Sequence, residues 1–166
     1  MRSRAGQAMA VVAMAMYGAK VVQADSVSDA AKAIAAIDVS GECVRIMQDK
    51  AVFRLVKLHG VRNAVANIIK QEMLSCGGDA TVSQWTVNCS RPKTDVLLMG
   101  TLQQYRRLII KMRMQAANFE SEAKREEYKA VSGELSAALA KDIRDLAEPN
   151  ANGQSRAEAK YSSLAK

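Results

Sequence analysis

The feature that most limits the fold of this chain is a helical stripe running into a pair of glycines. Val61, Val65, Ile68, Ile69 and Met73 recur at three- and four-residue spacing up to Cys76, which makes one buried face of an α-helix. Gly77-Gly78 then ends it, because the residue after a helix often takes a left-handed conformation that glycine adopts without steric cost. The flanking segments have another period. Val52 to Leu58 (VFRLVKL) sets Phe53 and Leu55 against Val52, Val56 and Leu58, and its β-branched content favours a strand, with His59-Gly60 as a turn. Thr81 to Asn88 (TVSQWTVN) reads as a second strand, with Val82 and Trp85 breaking clean alternation. Arg91-Pro92-Lys93 reads as a turn. Asp95 to Met99 (DVLLM) is a continuous apolar run, expected of a strand covered on both faces, and Gly100 closes it.

Helical patterns surround these strands. Ser28 is placed to cap a short helix over Asp29 to Ile37, which Ser40-Gly41 breaks. Thr101 caps a longer one, lined by Leu102, Tyr105, Leu108, Ile109, Met112 and Ala116. A last helix is expected over Glu120 to Ala147, with Val131, Leu135, Leu139, Ile143 and Leu146 as its stripe, until Glu148-Pro149-Asn150 stops it. The order helix-β-α-β-β-α-α implies an α+β fold: a small three-stranded sheet packed with helices, and no TIM barrel. Four regions result. Residues 1–24 are a signal peptide or an Ala-rich helix, 25–50 a short helix and linker, 51–147 the α+β domain, and 148–166 a disordered tail.

The amino terminus supports two readings. Arg2 and Arg4 precede an uncharged stretch from Ala8 to Ala19, and Val22-Gln23-Ala24 fits a signal-peptidase site with Asp25 as the new end. That would make the protein exported. The stretch is too short for a membrane span.

Among 166 residues the aromatic share is only 4% and alanine is abundant, so the core is expected to be modest and the chain biased towards helix. A net charge of +7 allows contact with phosphates or an anionic surface, but no dense basic arm is present. Cys43, Cys76 and Cys89 form no CxxC pair, and His59 is the single histidine, so neither a metal site nor a cofactor is expected. Cys76 and Cys89 fall near one helix-to-strand corner, where a redox pair competes with the commoner fate of buried free thiols.

Two groups of residues stand out as candidate sites, and neither is catalytic. Lys70, Gln71, Glu72, Gly77, Gly78 and Asp79 surround one corner and would form a small polar site; the competing reading is a helix cap, a turn and a solvated surface. Arg106, Arg107, Lys111 and Arg113 place positive charge on the helix after Gly100, a basic docking face for an acidic partner or, less favoured, for nucleic acid. Against nucleic acid, the strands offer one Trp and no paired aromatic platform for stacking bases.

The stretch from about Phe53 to Phe119 carries a resemblance. Its landmarks are Ala66 to Leu74 (ANIIKQEML), Gly77-Gly78-Asp79-Ala80, Val87-Asn88-Cys89-Ser90, Thr94 to Thr101 (TDVLLMGT) and Met112-Arg113-Met114-Gln115. In that order and spacing they resemble the N-terminal, non-barrel domain of bacterial and archaeal dihydropteroate synthases. In that family catalysis belongs to a TIM barrel with an Asn-Val-Thr-Pro-Asp-Ser-Phe-type loop and later Asp, Lys and Arg residues for the pterin pyrophosphate. None of these motifs occurs in this sequence, so no catalytic residue is carried over. The resemblance implies a cytoplasmic accessory domain of folate biosynthesis without its catalytic barrel. Its partner would be a separate pterin-binding barrel subunit or a second copy, with the amphipathic helices between Leu102 and Leu146 as the interaction surface. The alternatives are a small basic nucleic-acid-binding module and an exported helical protein.

Overall fold

The computed structural model describes residues 18–143. The elements are α1 (Val27–Ala35), α2 (Gly41–Ala51), β1 (Phe53–Arg62), α3 (Asn63–Ser75), β2 (Asp79–Val82), a 3-10 turn (Gln84–Thr86), β3 (Lys93–Thr101), α4 (Leu102–Asn118) and α5 (Glu122–Ala138). The fold is α+β, as expected, with one three-stranded antiparallel sheet and no barrel among the described residues. The expected tail and the residues preceding Gly18 in the expected signal segment lie outside the described residues.

The sheet order is β1-β3-β2, with central β3 antiparallel to both neighbours. β1 and β2 therefore run parallel to each other with α3 joining them, and the later strand β3 fills the slot between, a split β-α-β unit. Val56 and Leu58 of β1, Val96 and Leu98 of β3 and Ala80 of β2 form the inner face. They are buried with Val65, Ile69 and Met73 of α3 and Leu102, Tyr105, Leu108, Ile109 and Met112 of α4. α5 lies along α4 and adds Tyr128, Val131 and Leu135 to the same core.

Several expectations are corrected. Among the described residues β3 is covered on one face only: its burial alternates, because no described helix packs on the other side of the sheet, and Leu97 and Met99 are half-buried. His59-Gly60 is no turn but a bulge inside β1, which runs on to Arg62. The second strand is shorter and earlier than Thr81 to Asn88. It pairs from Asp79 to Val82, after which Ser83 caps a 3-10 turn that carries Trp85 out of the sheet. The expected linker before residue 50 is helix α2, whose N-cap is Ser40: its hydroxyl accepts from Cys43 N–H at 3.2 Å. The cap of α1 is Ser26 rather than Ser28, with Asp29 N–H donating to its hydroxyl at 3.1 Å. α5 ends at Ala138, and Leu139 and Ile143 still reach the core from the turn that follows; Leu146 and the rest of the expected helix lie outside the described residues.

Candidate functional site

The first group of candidate residues is split by the fold. Gly77 has φ +85 and follows the last turn of α3, where its N–H donates to Leu74 O at 2.9 Å and Gly78 N–H to Met73 O at 3.1 Å. Left-handed backbone is what a helix C-terminus needs there. Gln104 Nε2 also donates to Gly77 O at 2.7 Å, tying the end of α3 to the start of α4. Gln104 in turn completes a capping box with Thr101: its Oε1 accepts from Thr101 N–H at 2.7 Å. Asp79 is exposed at the start of β2, and its carboxylate accepts from Ala80 N–H at 2.7 Å. Gln71 is exposed on α3 and Lys70 half-buried.

Glu72 leaves that corner and joins the second group. Its Oε2 lies 2.8 Å from Lys111 Nζ, and its Oε1 accepts from Gln115 Nε2 at 2.5 Å. Lys111 also donates to Ser75 Oγ at 2.7 Å. Burial pushes the Glu72 carboxyl up, but the bonds and charge from Lys111, with help from Ser75 and Gln115, outweigh it and hold the group below its ordinary range. The Lys111 ion pair thus clamps α3 to α4.

The other basic residues of α4 are similarly engaged. Arg106 Nε meets Asp49 Oδ2 at 2.8 Å with both side chains mostly buried, which fastens α2 to α4. Arg113 Nη2 donates to Ser136 Oγ of α5 at 3.3 Å. The expected basic docking face is therefore largely taken up in holding neighbouring helices, with Arg107 half-buried beside them. The apolar stripes of α4 and α5 are consumed as well, since their residues are buried against each other and the sheet. Periodicity marked these helices as amphipathic; only packing decides that both apolar faces turn inward.

The cysteines are free: Cys43 is half-buried, Cys76 buried and Cys89 exposed. Burial pushes the Cys76 thiol up, which keeps it protonated and poorly nucleophilic. His59 is exposed and lies 3.4 Å from Asp95 Oδ2, which Lys57 Nζ also meets at 2.9 Å. Hydrogen bonds from Lys57 and from Gly60 N–H hold the Asp95 carboxyl below its ordinary range. Among the described residues no serine or cysteine hydrogen-bonds to the imidazole, so this pair lacks a nucleophile to activate. The described residues contain no group of three or more metal-ligating side chains, and no helix long and apolar enough to cross a membrane.

The surface that remains is the outer face of the sheet. Phe53 is 53% exposed and Leu55 62% exposed; they stand beside Thr101 and Met99 of β3, and Leu97 lies one step further on. Among the described residues nothing packs over them. Candidate-site reasoning from sequence passed over these side chains, although a signal was present: VFRLVKL is apolar at both odd and even positions, unlike a strand with one wet face.

No family model matches the chain, and no solved structure matches it. Among curated proteins, the chain is similar to one described as "Probable bifunctional folylpolyglutamate synthase/dihydropteroate synthase" from Halobacterium salinarum (strain ATCC 700922 / JCM 11081 / NRC-1). The two are 35% identical over 88 residues, which is 53% of this chain. The chain spans 11% of the length of that relative. Part of this small α+β fold is thus related in sequence to a segment of a much longer folate-related enzyme.

Proposed function

We propose that this chain is a non-catalytic accessory domain related to dihydropteroate synthase, and that it docks through the open face of its sheet. The partner is a separately encoded pterin-binding barrel subunit. The observation that supports this most is the apolar patch of Phe53, Leu55, Leu97 and Met99 on a sheet face that no described element covers. A small domain that leaves large apolar side chains together on one sheet face presents a surface suited to a partner. Its relative is a longer protein, of which this chain matches a small part. There the matching segment is covalently joined to further chain, and a separate subunit would supply that company in trans. Covering Phe53 and Leu55, each about half exposed, would contribute on the order of 1 kcal/mol per side chain.

The test is affinity purification of the tagged full chain from its own cells, followed by binding of the purified partner. Recovery of a pterin-binding barrel, with binding abolished by Leu55→Asp, is the expected result. A chain that recovers no folate-pathway protein, or a deletion strain with a normal rate of pterin synthesis, would overturn the proposal. Self-association lost in Leu55→Asp would keep the surface and replace the partner by a second copy.

A further inference from the structure

The bulge in β1 opens a hollow of about 320 Å³ at the end of the sheet, lined by Gly60, Ser83, Arg91, Lys93, Thr94 and Asp95. Its origin is local. Between the pairs Leu58 with Val96 and Val61 with Thr94, two residues of β1 oppose the single Asp95 of β3. Gly60 takes φ +64 there, a conformation suited to glycine, and its N–H donates to Asp95 Oδ1 at 3.1 Å. The segment from Ser83 to Arg91 makes the other wall. It is pinned by Ser83 N–H on Thr94 Oγ1 at 3.1 Å and by Asn63 Nδ2 on the Arg91 carbonyl at 2.6 Å.

The charges lining this hollow are unbalanced. Asp95 is its one carboxylate, and Lys57, His59 and Gly60 already engage it from the sheet side. The Arg91 guanidinium rests over the Trp85 ring, 5.8 Å from its centroid, and neither Arg91 nor Lys93 pairs with a carboxylate among the described residues. Ser83 Oγ accepts from Trp85 N–H at 3.3 Å, which leaves the hydroxyl hydrogen available to donate.

We propose that the hollow binds the phosphoryl group of a small ligand, either free phosphate or a phosphomonoester, between Arg91 and Lys93 with the Ser83 hydroxyl as a further donor. A forked guanidinium matches the edge of a phosphoryl group, and the ammonium adds charge without directional demand. The volume suits a small molecule. A nucleic-acid backbone would need a row of open cations, whereas Arg106, Lys111 and Arg113 of α4 are committed within the fold. The inference does not depend on the docking surface.

Trp85 is the single tryptophan, so intrinsic fluorescence of the full chain reports directly on the residue under Arg91. The experiment titrates inorganic phosphate, and separately glycerol phosphate, at constant ionic strength with chloride as the balancing anion. A saturable change is expected, weakened about tenfold or more by Lys93→Met and unchanged by Lys129→Met on α5. Far-UV circular dichroism confirms that both variants are folded. Equal affinity for the two ligands assigns free phosphate, and tighter ester binding assigns a phosphomonoester. A linear response, or one that Lys93→Met leaves intact, overturns the proposal. So does steeply salt-dependent binding of a single-stranded oligonucleotide in preference to either phosphate.

Discussion

Alanine at position 100 should destabilise the protein, while alanine at position 133 should stabilise it, and the contrast tests the account of the α3–β2 and β3–α4 corners. Gly100 is not in left-handed backbone, so the cost is steric rather than conformational. A Cβ there would sit well inside contact distance of Met73 Cε and 2.9 Å from Gln104 Oε1. Met73 has a flexible end, but it is fully buried, and its methyl also lies against Gly78, whose own Cβ would fall 2.5 Å from it. Gln104 Oε1 is the acceptor of the capping box, so displacing it also disturbs the start of α4. Overpacking of this kind costs about 1–3 kcal/mol, and a damaged cap adds about 1 kcal/mol. The lower unfolded-state entropy of alanine returns about 0.4–1 kcal/mol. The net expectation for Gly100→Ala is a loss of about 1–3 kcal/mol. Gly133 is an exposed helical position of α5 with nothing within 4 Å of where an alanine methyl would stand, so Gly133→Ala should gain about 1 kcal/mol from helix propensity. Urea denaturation followed by circular dichroism reads both as midpoint shifts at constant m. A Gly100→Ala protein as stable as the parent would refute the tight corner. So would an equal cost in a Met73→Ala background, where the offending methyl is gone.

Other outcomes follow from the ion pairs and thiols. Arg106→Ala should cost about 1–3 kcal/mol and show strong non-additivity with Asp49→Ala in a double-mutant cycle, since the pair joins α2 to α4; additive effects would refute the coupling of the two helices through this pair. The folded-state pKa of Glu72 is lowered, so its contribution is present above the unfolded carboxylate pKa and is lost as pH falls through the folded value. Stability measured on acidification should therefore drop less steeply in Lys111→Met than in the parent, and parallel profiles would sink the assignment. A thiol reagent should modify exposed Cys89 in the native protein and reach buried Cys76 only on unfolding, which mass spectrometry resolves residue by residue.

Local signals were well legible in this chain, and they were those that depend on neighbours in sequence. The α3 stripe from Val65 to Met73 with its Gly77 cap, the Thr101 cap of α4 and the apolar run of β3 each state a local preference strong enough to survive packing, whereas Val61, expected on the same stripe, belongs to β1. The misread places are those where a distant element intervened. His59-Gly60 looks like a turn until Asp95 of β3 is seen to accept the Gly60 N–H, which turns a break into a bulge. Ser40-Gly41 looks like the end of a helix and is the start of one.

By itself the sequence determined that this chain makes a small α+β unit, because hydrophobic period, caps and glycine positions are properties of consecutive residues. Which charged side chains are tied down, and which apolar ones remain open, was decided by tertiary structure alone. Lys111 and Glu72 stand 39 residues apart, and Arg106 and Asp49 57 apart, yet each pair closes to 2.8 Å. Alternation sets Phe53 and Leu55 against Val52, Val56 and Leu58 without saying which set turns outward; Phe53 and Leu55 do, because among the described residues helices pack on one side of the sheet only. Pairing, burial and exposure are relations between elements, and no local pattern encodes which face of a strand will find a partner.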